Sequence, residues 1–164
     1  MPAAYGDGMS YNTMPPPSSP PGVPRTGSLG FPLFALIGLA AMGLPRAILH
    51  DLHLIQQGSG LNWLLALGPV ALWILLAVIR RVRNPFLTVL VIGAIFGVML
   101  AVTHQLLWDI AYHGDPPSIG SGVVGTVFPR IAAVWSGIFT GAMIGAIGGL
   151  IAWGIQMITG RGRA

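Results

Sequence analysis

The stretch Ile131–Ile158, IAAVWSGIFTGAMIGAIGGLIAWGIQMI, carries no charged residue and places a small residue at every fourth position: Ala133, Gly137, Gly141, Gly145 and Gly149. A helix rises about 1.5 Å per residue, so about 20 residues cross a hydrocarbon core of about 30 Å. The stretch exceeds that length, which predicts a helix that lives in lipid and closes at Gly160. Residues four apart share a helix face. The five small residues therefore form a stripe that a neighbouring backbone can approach closely, and in lipid such close contact is what joins helices.

Three further apolar segments lie on its N-terminal side. Leu61–Ile79 is uncharged and closed by Arg80, Arg81 and Arg83, and Phe86–Trp108 follows Pro85 and repeats the small-residue spacing at Gly93, Gly97 and Ala101. The earliest segment runs without interruption only from Phe31 to Leu44 before Pro45 and Arg46. For it to span, the helix must kink near Gly43 and Pro45 and continue to about His50, with Arg46 snorkelling toward the nearer surface. The expected fold is an all-α integral membrane protein. It is a four-transmembrane-helix bundle over 29–160, with spans at about 30–50, 61–79, 86–108 and 131–158. Residues 1–28, with seven prolines and little apolar surface to bury, are expected to form a disordered Pro-rich cytoplasmic tail, and 161–164 a basic cytoplasmic C-tail.

Composition excludes the main alternatives. Of 164 residues, 54 % are hydrophobic and only 7 % charged, the eight basic residues are all Arg and the four acidic ones all Asp. Soluble domains carry about 25 % charged residues, so a water-facing surface of this size has too little to solvate it. The absence of Cys removes disulfides, thiolate metal sites and thiol catalysis. Scattered Arg residues make no basic face, so nucleic acid is not an expected partner.

Basic residues are retained on the cytoplasmic side during insertion. In a four-span arrangement Arg25, Arg80, Arg81, Arg83, Arg161 and Arg163 share one side, against Arg46 and Arg130 on the other. The expected location is the cell's inner (plasma) membrane, with both termini cytoplasmic.

The ionisable side chains gather on the outer side: His50, Asp51 and His53 in the first outer connection, His104 and Asp109 around the end of the third span, and His113 and Asp115 beyond it. His50, His53, His104 and Asp109 are the candidate site residues, because imidazole and carboxylate bind divalent metals and pass protons near neutral pH. A haem held between His50 or His53 and His104 is the other cofactor this set admits. His104 sits at a depth where an unpaired imidazole loses water, so it requires a partner, whether a metal, Asp51, Arg46 or a backbone carbonyl.

No HExxH, nucleophile elbow or phosphate loop is present, and no span carries an ionisable residue at its middle. The leading expectation is thus a non-enzymatic accessory or scaffold subunit without a cofactor. Its partners would be the lipid bilayer and a homo-oligomer or larger membrane complex assembled through the fourth helix. The competing expectation is an outer-face His/Asp site that binds a metal or haem or relays protons. The helix-packing residues are Gly93, Gly97, Gly137, Gly141, Gly145 and Gly149.

Overall fold

The computed structural model describes residues 29–160. The expectations for the Pro-rich segment 1–28 and for 161–164 fall outside the described residues. Within them the regular structure is helical: α1 (Leu33–Ala41), α2 (Leu44–Asp51), α3 (Gly60–Ile79), α4 (Pro85–Leu106), α5 (Trp108–Ala111) and α6 (Gly122–Ile158). Four stretches are long and apolar enough to cross a membrane: Leu33–Asp51, counting α1 and α2 together, then α3, α4 and α6. Their outward surfaces suit lipid, since Phe34, Leu64, Trp135 and Phe139 are all exposed.

The helix breaks at Met42 and Gly43, and Pro45 enters the first turn of α2. The break is close-packed, because a Cβ on Gly43 would stand 2.7 Å from the Phe96 ring of α4. It also leaves backbone carbonyls without their regular helical donors. One of these, Leu39, accepts the buried Trp73 indole N–H of α3 at 2.8 Å, which joins α1 to α3. Side chains play the same part elsewhere. Gln156 of α6 donates to the Ala77 carbonyl of α3 at 3.0 Å, and the Thr88 hydroxyl lies within hydrogen-bonding distance of the Leu29 and Asn84 carbonyls. Among the described residues, no buried side-chain nitrogen or oxygen lacks a partner.

α4 is the central helix, packed against α1, α2, α3 and α6. Its contact with α6 is backbone on backbone. A Cβ on Gly137 would lie 3.1 Å from the Ala101 backbone, and one on Gly97 would lie 2.8 Å from the Ile138 carbonyl. One on Gly93 would lie 2.5 Å from the Gly141 carbonyl oxygen and the Gly145 Cα. Further along, one on Gly149 would lie 2.7 Å from the Phe86 carbonyl. The first two steps of four along α6 are each answered by a step of four back along α4 and the third by a step of seven, an antiparallel register that brings Gly137, Gly141, Gly145 and Gly149 onto Ala101, Gly97, Gly93 and Phe86.

The fourth helix starts earlier than the sequence suggests, at Gly122 rather than near Ile131, and so has 37 residues, about 55 Å of rise. Pro129 and Arg130 read as a boundary because proline in a helix interior removes the N–H that the carbonyl four residues earlier needs. Here that carbonyl belongs to Gly125, and it accepts instead from the Ile119 N–H at 3.0 Å. The connection folds back on the first turn of α6 and supplies the missing donor, so the helix continues through Pro129. The outer loop expected over Asp109–Arg130 thus contracts to α5 and the stretch 112–121.

Alternation of the four spanning stretches divides the polar residues between the ends. One end holds the exposed Arg80, Arg81 and Arg83, with the Arg80 guanidinium 5.7 Å from the centre of the Phe31 ring. The opposite end holds every described His and Asp, together with Arg46 and Arg130.

Candidate functional site

On α2, Ile48 is exposed, Leu44 and Leu52 are half-buried with Leu44 packed on the core, and Ala47 and Asp51, one turn apart, are buried on the side that meets α4. A carboxylate on a buried face must be paired. Asp51 Oδ2 lies 2.5 Å from His104 Nδ1 of α4, and Asp51 Oδ1 lies 3.3 Å from His50 Nδ1. The Asp51 side chain is 5 % exposed, against 34 % for His104 and 37 % for His50, so one dry carboxylate joins two half-wet imidazoles.

A carboxylate oxygen accepts, so a ring nitrogen that hydrogen-bonds the Asp51 carboxylate does so as an N–H donor. The Gln57 side-chain nitrogen, 2.8 Å from His50 Nε2, then donates to it. No described residue hydrogen-bonds His104 Nε2. The result is a hydrogen-bonded chain from Gln57 through His50 and Asp51 to His104.

This chain forms part of the wall of a half-open cleft of about 1110 Å³. The cleft fills the space between α2 and α6, with Leu100, His104 and Trp108 beside it and Ala133, Ser136, Gly137 and Thr140 along α6. Arg46 lies at its junction with a smaller cavity of about 70 Å³ that reaches Pro69, Trp73 and Phe96. Rather than reaching out toward the surface, the Arg46 side chain turns onto α3, where its Nε donates at 3.1 Å to the buried Asn62 side-chain oxygen. Ser59 caps α3 by accepting the Asn62 backbone N–H at 3.2 Å and so fixes that first turn.

Of the four candidate residues, His50 and His104 are brought together, through Asp51 rather than directly. His53 lines the same cleft without joining that pair, and Asp109 is placed elsewhere. Asp109 is exposed and pairs with Arg130 at 3.3 Å, and the Arg130 guanidinium sits 5.1 Å from the Trp108 ring centre. His53 stacks on His113 with ring centroids 4.1 Å apart. Both stacked residues have positive φ, 58° and 53°, each just beyond a helix end whose carbonyl, Leu49 or Asp109, accepts from the next residue's N–H. This is the closing turn in which glycine is usual. The stack ties the connection after α2 to the one after α5.

Among the described residues, no group of three or more His, Asp or Glu is arranged to hold a metal ion. Both Nδ1 atoms of the central pair already meet a carboxylate. Asp51, Gln57, Arg46 and Asn62 complete the site. Asp51 was legible in the sequence only as one of several partners for His104, and the Arg46–Asn62 contact, sixteen residues apart, had no sequence signal. Comparison with protein-family models, with curated proteins and with solved structures gives no match.

Proposed function

We propose that this is a non-enzymatic protein of the plasma (inner) membrane whose activity is binding, in a cleft at the outer end of its bundle, by groups that share protons with the occupant. The observation that carries this is the buried Asp51 bridging His50 and His104 on the wall of a ligand-sized cleft. Pockets for small ligands run to about 300–1,000 Å³ and combine apolar walls with a few convergent polar groups. The contact between α4 and α6 supplies a rigid wall, since glycine stripes bring the two backbones together. Association with a second copy or a larger complex through the fourth helix would use the opposite face, with Phe139, Met143 and Ile147, because the small-residue stripe lies on α4. Metal or haem ligation is the weaker reading here, as the Nδ1 atoms are engaged and the four candidate residues do not meet.

The test is nitrogen and proton NMR of the histidine rings in detergent-solubilised protein. The Nδ1–H protons of His50 and His104 are expected far downfield, as donors to one carboxylate, and both should move in Asp51→Asn while His113 stays in place. His50→Gln should also move the His104 signal, although no hydrogen bond joins the two rings. Ring signals of His50 and His104 that ignore Asp51→Asn would overturn the shared site.

Orientation is tested separately. With the His/Asp end outside, cysteines replacing Gln56 or Ser118 are expected to react with an impermeant maleimide on intact cells, and one replacing Thr159 is not. All three positions are exposed. Labelling at Thr159 alone would place the cleft on the cytoplasmic side.

A further inference from the structure

We infer that the cleft binds the headgroup of an anionic phospholipid, with Arg46 as the anchoring cation. The inference rests on the cleft being a binding site, but not on proton sharing by His50, Asp51 and His104.

Arg46 makes one hydrogen bond, from Nε to Asn62, and no ion pair among the described residues. Asp51 is the one carboxylate lining the cleft, and its two oxygens face His50 and His104. The terminal amino groups of Arg46 therefore have no partner among the described residues. Since no buried side-chain nitrogen is orphaned among the described residues, they open onto the cavity space that Arg46 lines. A guanidinium held within a helical bundle without a carboxylate is a charge awaiting its counterion. Its two terminal nitrogens match the paired oxygens of a phosphate.

The route in and the shape of the space select a lipid over a dissolved anion. α2 packs on α3, α4 and α5, and the cleft fills the gap it leaves toward α6. α2 and α6 both belong to stretches long and apolar enough to span, so the gap between them is bordered by helices that suit lipid. The lining is amphipathic. Arg46, His50, His53, Gln56, Gln57 and Tyr112 spread polar groups across the outer part, while Leu100, Trp108, Ala133 and Gly137 make an apolar wall. So many polar groups, spread over two connections, suit a headgroup with several oxygens better than a lone fatty-acid carboxylate. The volume of about 1110 Å³ holds such a headgroup with the first part of a chain.

The experiment is native mass spectrometry and thermal denaturation of the full chain in a mild neutral detergent. The added probes are phosphatidylglycerol, phosphatidylcholine, oleate or inorganic phosphate. Phosphatidylglycerol is expected to bind about tenfold or more tightly than phosphatidylcholine, which offers Arg46 the same phosphate oxygens but offsets their charge with its own quaternary ammonium. Arg46→Gln should erase that preference. Ser136→Trp, which fills the cleft from α6 and leaves every charge in place, should weaken phosphatidylglycerol by a similar factor. Retention of the His50 and His104 ring signals in both variants shows that each is folded. A phosphatidylglycerol preference that survives Arg46→Gln overturns the assignment. So does competition by millimolar inorganic phosphate, which makes the ligand a soluble anion, or oleate binding as tightly as phosphatidylglycerol. If instead the ring signals ignore Asp51→Asn while lipid preference persists, the proton-sharing site fails and the lipid site stands.

Discussion

Gly141→Leu is expected to leave little or no folded protein in detergent, whereas Gly154→Leu, thirteen positions further along the same helix, folds as the wild type does. The two glycines differ only in what lies beside them. A Cβ on Gly141 would fall within the backbone of Gly97 and onto the Gly93 carbonyl, while one on Gly154 meets nothing within 4 Å. Overpacking a core against movable side chains costs about 1–3 kcal/mol. Here the obstacle is backbone, and helix axes must separate along the whole α4–α6 contact, so the expected loss is above about 4 kcal/mol, a size reserved for core disruption. Gly154→Leu should stay within about 0.5 kcal/mol, as for other surface changes. Folded fraction against added sodium dodecyl sulfate separates them, and Gly93→Leu, on the other side of the contact, should match Gly141→Leu. Equal behaviour of Gly141→Leu and Gly154→Leu would remove backbone contact as the basis of the bundle. A Gly141→Leu monomer that folds normally but no longer self-associates would move the stripe to an interface between copies.

The bundle was legible because lipid makes its demands on sequence simple. Uncharged length marks a span, and a four-residue spacing of small side chains marks where two backbones meet, so the residues that pack α4 on α6 stand out before any coordinates. The break at Gly43 and Pro45 was legible for the same reason, since an isolated Pro and Arg end an apolar run. The start of α6 was not. Whether Pro129 terminates a helix depends on whether something else satisfies the Gly125 carbonyl, and the donor, Ile119, comes from a loop whose fold-back no periodicity announces.

The site was half legible. That His104 needs a partner follows from its depth, but which partner it takes depends on the rotation of α2. Amphipathic spacing assigns Leu44, Ile48 and Leu52 to an apolar face. Of these, Ile48 is exposed while Leu44 packs on the core, and the rotation of α2 places Ala47 and Asp51 against α4. Arg46, for the same reason, meets Asn62 across a helix interface instead of reaching for solvent. Long-range pairs of this kind are set by helix rotation, which a single sequence does not encode in any local pattern.

That rotation has an energetic consequence that can be measured as a coupling. His104→Ala should destabilise the protein by about 2–3 kcal/mol, because it leaves the 5 %-exposed Asp51 carboxylate with only the longer His50 contact. Asp51→Ala should cost less, about 1–2 kcal/mol, since the imidazoles it strands are each about one-third exposed and retain water. Together the two changes remove both the carboxylate and its main donor, so the double variant should be less destabilised than the sum by about 1–2 kcal/mol. His113→Ala, at an exposed stacked ring, should change stability by less than about 0.5 kcal/mol. The measurement is the midpoint of unfolding by sodium dodecyl sulfate for the four proteins of the cycle, each with and without a chelator. Coupling independent of chelator assigns the stabilisation to the hydrogen bond between Asp51 and His104. Wild-type protein that loses as much stability to the chelator as to His104→Ala would replace that hydrogen bond with a metal held by the same imidazole. An additive cycle would mean that the two side chains are not joined in solution, and the shared proton chain would go with them.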